Sequence, residues 1–243
     1  MSKKDLSIEV EGNVIPFEVE YRNRKSLEIQ VNPEGKVRVL SPFSLSEKEL
    51  LKHVESKSSW ILTKRNDFNK IDLSILEKNI KDGEKFLYLG QSYELKIIRD
   101  SIKTTTLSLL ENQMILKTSS IDQEYLKNFL IQWYKEKGLE KIKERVEFYQ
   151  PYILVKPTDI VVKEQKRRWG SCTSKGRLLF NWRIIMAPLS VLDYIVVHEM
   201  CHLIHMNHGK EFWTCVERIL PNYKKEKNWL KRNGIYLDIK FLK

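Results

Sequence analysis

The sequence predicts an α+β protein, with a mainly β amino-terminal region over residues 1–118 that carries an inserted helix, and a helix-rich region over residues 119–243. Two observations carry this. Before residue 119 short runs alternate apolar with polar residues between turn signals, and after it the apolar spacing lengthens to that of helices. A third observation marks where the chemistry is placed: four of the five histidines fall within Val197–Gly209.

The first strands are Ile8–Val10 and Phe17–Tyr21 around Gly12-Asn13, followed by Leu27–Val31 and Val37–Val39 around the turn Asn32-Pro-Glu-Gly35. Arg22-Asn-Arg-Lys25 between them reads as an exposed hairpin end, with contact to phosphate or acidic peptide as the rival reading. Ser46-Glu-Lys-Glu49 is a capping box, and Leu50, Leu51, Val54, Trp60 and Ile61 carry one amphipathic helix toward Asn66. Two more hairpins follow, Leu87–Leu89 with Tyr93–Ile97 around Gly90-Gln91, and Leu107–Leu109 with Met114–Leu116 around Glu111-Asn112. No internal repeat stands out.

Ser119-Ser120-Ile-Asp starts a helix whose apolar residues, Tyr125 through Val146, recur at helical spacing up to the Pro151 region. Ile160-Val-Val and Leu178–Ile185 read as strands. Lys166-Arg-Arg-Trp-Gly-Ser-Cys172 can bind a phosphate backbone and stack a base, or can be a tight turn at Gly170 with Trp169 buried beneath it. Ser190 is a plausible N-cap for the helix that enters the histidine stretch, with Asp193 as a weak capping-box partner. Glu211–Leu220 reads as a further helix stopping before Pro221, and Tyr223 to Lys243 as a final helix and strand.

In that stretch His198, Glu199 and His202 form H-E-x-x-H, which places two imidazoles one turn apart on one helix face. Burying two imidazoles and a carboxylate is costly unless a metal satisfies them. A third ligand must come from beyond the helix, because on an unbroken helix His205 would lie about 10 Å along the axis from His198. Asn207-His208-Gly209 supplies a turn, so His208 is the expected third ligand of a Zn2+ ion, with the fourth position left to water. Glu211 and Glu217 are rival third ligands, and Cys201 is either a thiol ligand or a small core residue.

His198-Glu-Met-Cys-His202, the five-residue gap, His208-Gly-Lys-Glu-Phe212-Trp213 and the upstream Arg168-Trp-Gly-Ser-Cys172 together resemble the YgjP-like branch of the SprT-like zinc metallopeptidases. Metzincins share the gap but carry Gly where this chain has His205. The resemblance covers the last third of the chain well. It implies a zincin-like metallopeptidase domain in which a long helix and a small sheet precede the metal helix, and a strand near the metal able to pair with an extended peptide.

The implied chemistry is hydrolysis of a peptide or protein substrate by a zinc-activated water, with Glu199 as general base. His205, Arg168 and Tyr194 are candidates to stabilise the oxyanion. The alternative is a nucleic-acid-associated protein whose metal domain is structural or acts on proteins bound to nucleic acid. A formal net charge of +11 and a pI near 9.4 favour polyanions, although a solvated lysine-rich surface explains the same numbers. No apolar run is long enough to span a bilayer and the start lacks a secretory signal, so no membrane partner and a cytoplasmic location are expected. Cys172, Cys201 and Cys215, an odd number, fit a reducing compartment.

Overall fold

Alternation in the first forty residues becomes two hairpins in the computed structural model, which describes residues 3–32, 34–69, 76–165 and 167–241. Pro33 of the expected turn, Lys166 of the basic cluster, and Leu242 and Lys243 of the expected last strand lie outside the described residues. The chain divides into two compact units, Met1–Ile75 and Leu76–Lys243.

In the first unit β1 (Lys3–Val10) and β2 (Asn13–Arg22) pair antiparallel. Glu11 and Gly12 both take positive φ (51° and 76°), as a two-residue turn matched to strand twist requires. β3 (Glu28–Val31) and β4 (Val37–Pro42) form the second hairpin, and β2 lies parallel to β4, giving the order β1-β2-β4-β3. Period-2 alternation turns Ile15, Phe17, Val19, Val37 and Val39 into one core with Leu50, Val54 and Ile61. The capping box of Ser46 and Glu49 forms, but the single expected helix is two: α1 (Glu47–Glu55) and α2 (Ser58–Asn69). Ser56 ends the first, its N–H bonding the Lys52 and Val54 carbonyls and its hydroxyl donating to the His53 carbonyl. Glu20, almost fully buried, is held by Arg22 and Arg38.

In the second unit β5 (Glu77–Lys78) precedes a sheet of β6 (Lys85–Tyr88), β7 (Gln91–Arg99), β8 (Thr106–Leu110) and β9 (Gln113–Thr118). Its order is β6-β7-β9-β8, with β7 and β9 parallel between two antiparallel outer strands. This repeats the topology of the first sheet. α3 (Gln123–Tyr149) follows, capped by the Asp122 carboxylate, which accepts from the N–H groups of Glu124 and Tyr125. Tyr134 is fully buried and donates its hydroxyl to the Leu87 carbonyl (2.8 Å), tying helix to sheet. Phe86, Leu95, Met114 and Leu116 share one core with α3 and everything after it. The two compact units meet at 75/76, and the change of period expected at 118/119 coincides with the start of α3 within the larger unit's core.

Beyond α3, β10 (Asp159–Lys163), β11 (Gly170–Cys172) and β12 (Arg177–Asn181) form a sheet in the order β10-β12-β11, β10 parallel and β11 antiparallel to β12. Gly170 is not a turn; it opens the edge strand β11, and the turn is made at Gly176 (φ 73°). The strand expected over Leu178–Ile185 stops at Asn181. Its amide donates to the Gln165 and Arg168 carbonyls (2.7 and 3.2 Å) and accepts from the Arg183 N–H, starting a 3-10 turn that buries Trp182, Ile184 and Ile185.

The histidine helix is α4 (Leu189–Cys201), followed by α5 (Lys210–Ile219), α6 (Tyr223–Asn233) and β13 (Lys240–Phe241), which pairs parallel with β5. Pro188, not Ser190, stands at the N-cap of α4, and its carbonyl receives the N–H groups of Val191 and Leu192. Ser190 bonds Glu226 instead, and Asp193 takes a two-point ion pair from Arg145 of α3 (2.6 and 3.1 Å), clamping α4 to the long helix. Among the described residues no helix is long and apolar enough to cross a membrane.

Candidate metal centre

α4 is apolar on nearly every face, and Val191 through Val197 are buried. Such a helix positions its few polar groups rigidly, because its packing leaves no room for rotation. His198 and His202 project from one stripe, one turn apart. The chain then turns: the His205 N–H bonds the Cys201 carbonyl (2.9 Å), Asn207 accepts the Gly209 N–H (3.2 Å), and α5 starts from Gly209. This return brings His208 back against the helix.

Three Nε2 atoms converge. His208 Nε2 lies 3.0 Å from that of His198 and 3.2 Å from that of His202. Each Nε2 has one in-plane proton or lone pair, so a hydrogen bond can satisfy one of these approaches and not both. A tetrahedral ion about 2.0–2.1 Å from each nitrogen would separate them by about 3.3 Å, close to what is seen. His202 Nδ1 faces the His205 carbonyl (2.9 Å) and can donate only there, which leaves its Nε2 a lone pair directed at the cluster. Burial and the neighbouring histidines push the His198 imidazole down to about 3, and burial also lowers His208. Neutral imidazoles are the form a metal binds, so the donor set fits.

Aromatic rings wall the cluster. Phe212 stacks on His202 (4.4 Å) and meets His208 edge-on (4.7 Å), while Trp213 lies 5.7 Å from His208, as expected of residues that fix the turn. Trp213 stacks in turn on Tyr223 and carries Lys227 over its ring at 4.0 Å. Lys227 is close enough to depress both His198 and His208. Nothing in its spacing singled it out.

Glu199 is 4% exposed. Burial raises its carboxyl to about 8, against the pull of Arg168 and of a hydrogen bond from the Cys172 N–H. Its Oε2 has no partner among the described residues. The edge strand β11 crosses so near that a Cβ on Gly170 would lie 2.6 Å from Glu199 Cγ and Oε1. Sequence reasoning missed this role, because a glycine demanded by a neighbouring side chain carries no local signal of its own.

The rival ligands stand elsewhere. Glu211 is exposed and 3.8 Å from His205 Nδ1, and Glu217 pairs with Lys224 (3.4 Å). Cys201 is buried with its Sγ 3.3 Å from that of Cys215, off the histidine stripe. Of the oxyanion candidates, Tyr194 has its ring 5.8 Å from His198 and is raised to about 12 chiefly by burial; Arg168 is exposed and acts on Glu199, and His205 serves through its carbonyl.

Among curated proteins none matches this chain. Among solved structures, the metallopeptidase zymogen abylysin of Pyrococcus abyssi aligns with 17% identity over 42% of this chain and 99% of that one. Its TM-score of 0.36 is too low to carry a structural argument. The model of the YgjP-like family, metallopeptidase domain, matches residues 25–233, a span that holds the three converging histidines, Glu199 and the edge strand beside it. A match over most of the chain places it plainly: this protein belongs to the YgjP-like metallopeptidase-domain family.

Proposed function

We propose that the chain is a zinc metallopeptidase in which His198, His202 and His208 hold the ion and Glu199 is the general base for hydrolysis of a peptide bond. The observation that carries this reading is the convergence of three imidazole Nε2 atoms beside a buried carboxyl with an unpartnered oxygen. Three imidazole nitrogens as donors favour zinc over the oxygen-seeking cations. The order of long helix, small sheet and histidine helix supports the reading of a zincin-like domain. When bound, the ion supplies Lewis-acid polarisation of a carbonyl and acidifies water.

The remaining work belongs to the chain. Glu199, held at one oxygen by the Cys172 N–H and favoured in its ionised form by Arg168 and by a cation on the histidines, offers Oε2 to take a proton from the attacking water and to return it to the departing amine. β11 has no strand partner on its outer side, since it pairs only with β12 among the described residues, and apart from the Cys172 N–H taken by Glu199 it presents backbone groups to an extended substrate. Lys227 near the histidines and Arg168 near Glu199 set positive potential at the site, which favours the carbonyl oxygen as it gains charge.

Elemental analysis paired with a peptide-hydrolysis assay tests the proposal. The wild type should hold about one zinc per chain; His208→Ala should lose it, and Glu211→Ala should keep it. Glu199→Gln should retain the metal and lose hydrolysis by about 10²–10⁴-fold. A well-folded wild type that takes up no zinc even on supplementation would sink the reading. Zinc retained with no hydrolysis in any variant would leave a structural site.

A further inference from the structure

The repeated topology gives the molecule an internal control. In each unit a groove lies between the third strand of the sheet and the helix that follows the fourth. In the second unit it is lined by Leu107–Leu109 of β8 and by α3, and its charges are cancelled within the helix, Lys137 with Glu140 (2.7 Å) and Lys141 with Glu144 (2.5 Å). Its tryptophan, Trp133, is 7% exposed and belongs to the core.

The groove of the first unit differs in each respect. It encloses about 650 Å³ between β3 and the helices α1 and α2, floored by Leu27, Ile29 and Leu45. Lys25 and Lys57 line it with no carboxylate among the lining residues, and neither has an ion pair among the described residues. Trp60 is 43% exposed on its wall. β3 pairs with β4 on one side only, so its other edge has backbone donors and acceptors free of any strand partner.

We propose that this groove docks an extended acidic segment of another protein, with apolar side chains on Leu27, Ile29 and Trp60 and carboxylates on Lys25 and Lys57. The aliphatic floor and the open strand edge favour peptide over nucleic acid, which binds through successive aromatic platforms and a continuous cationic track. Uncancelled lysines select the acidic sign and speed encounter. The groove lies in a unit with its own core, and its binding does not depend on the metal.

The test is fluorescence anisotropy with the full chain carrying Glu199→Gln, so that nothing is cut. The probe is a fluorescein-labelled peptide in which leucine and phenylalanine alternate with glutamate. It should bind with an affinity that falls as salt rises, whereas the same peptide with lysine for glutamate should not. Lys25→Glu with Lys57→Glu should weaken binding by at least about tenfold, and Trp60→Ala should weaken it also. Lys137→Glu in the second groove should leave it unchanged. The milder Lys25→Gln with Lys57→Gln, which only removes charge from exposed positions, should move affinity in the same direction if the reversal disturbs folding. No binding of the glutamate peptide, or binding indifferent to both lysine pairs, would overturn the proposal. Oligothymidylate bound more tightly than the peptide and lost with the same lysines would reassign the groove to nucleic acid.

Discussion

Both four-stranded sheets place their strands in the order first, second, fourth, third, and each is followed by a side-chain-capped helix. They differ in what that helix does next. After β4 it stops at Ser56 and is resumed as α2, and both pieces stay within a small core. After β9 it runs on for 27 residues, and its later turns bury Ile142 and Val146 and present Arg145 to Asp193 of the histidine helix. Strand pairing alone thus yields a module; the length of the helix laid on it decides whether the module joins a larger core. In the second unit the sheet becomes the far end of a brace that holds α4 in place.

The largest expected effects separate the two cores. Trp182→Ala, at a fully buried site in the second unit, should cost about 3–5 kcal/mol. Ile15→Ala in the first should cost about 2–5 kcal/mol. In chemical denaturation each should move its own transition, and only Trp182→Ala should release metal at lower denaturant. One shared transition moved by both would break the comparison.

Acid should distinguish the units more gently. Arg22, hydrogen-bonded to Glu20, with Arg38 beside it, holds the Glu20 carboxyl below the usual carboxylate range. A depressed folded value means stability that is present above the unfolded value of about 4.5 and lost as pH falls through the folded one. The transition of the first unit should therefore move to lower denaturant below about pH 4.5, and Glu20→Gln should flatten that slope. The smallest effects are at the caps. Ser46→Ala and Asp122→Ala should each cost about 1 kcal/mol, the first seen in the small core's transition and the second in the large one.

The hairpins, the capping box, the long helix and the return of His208 were legible because each rests on neighbours in sequence: alternation, a cap, a turn. The repeat was not, since topology is a relation between strands and few side chains recur between the two sheets. The break at Ser56 and the stop at Asn181 were hidden in continuous apolar periodicity, where one side chain bonding the backbone overrode the pattern. Ser190 read as a cap because nothing local reveals that Glu226 takes its hydroxyl. At the site, the histidines announced themselves by spacing. Gly170 and Lys227 did not, because their meaning lies in what a distant element brings beside them.

Gly170 has no positive φ, so its backbone would accept any residue; what forbids a side chain is the Glu199 carboxylate occupying that volume. The two positions therefore behave as one heritable unit, in which a change at either is tolerated only with a matching change at the other. Gly170→Ala should displace the carboxylate and lower turnover about a hundredfold while metal content stays unchanged. Adding Glu199→Asp, whose shorter side chain vacates the contested space, should return part of the lost rate in steady-state assays, although Glu199→Asp alone is damaging. An evolving lineage that lost this glycine would have to cross a valley of poorly active intermediates, and that barrier ties the edge strand to the Glu199 carboxylate more firmly than any bond between them.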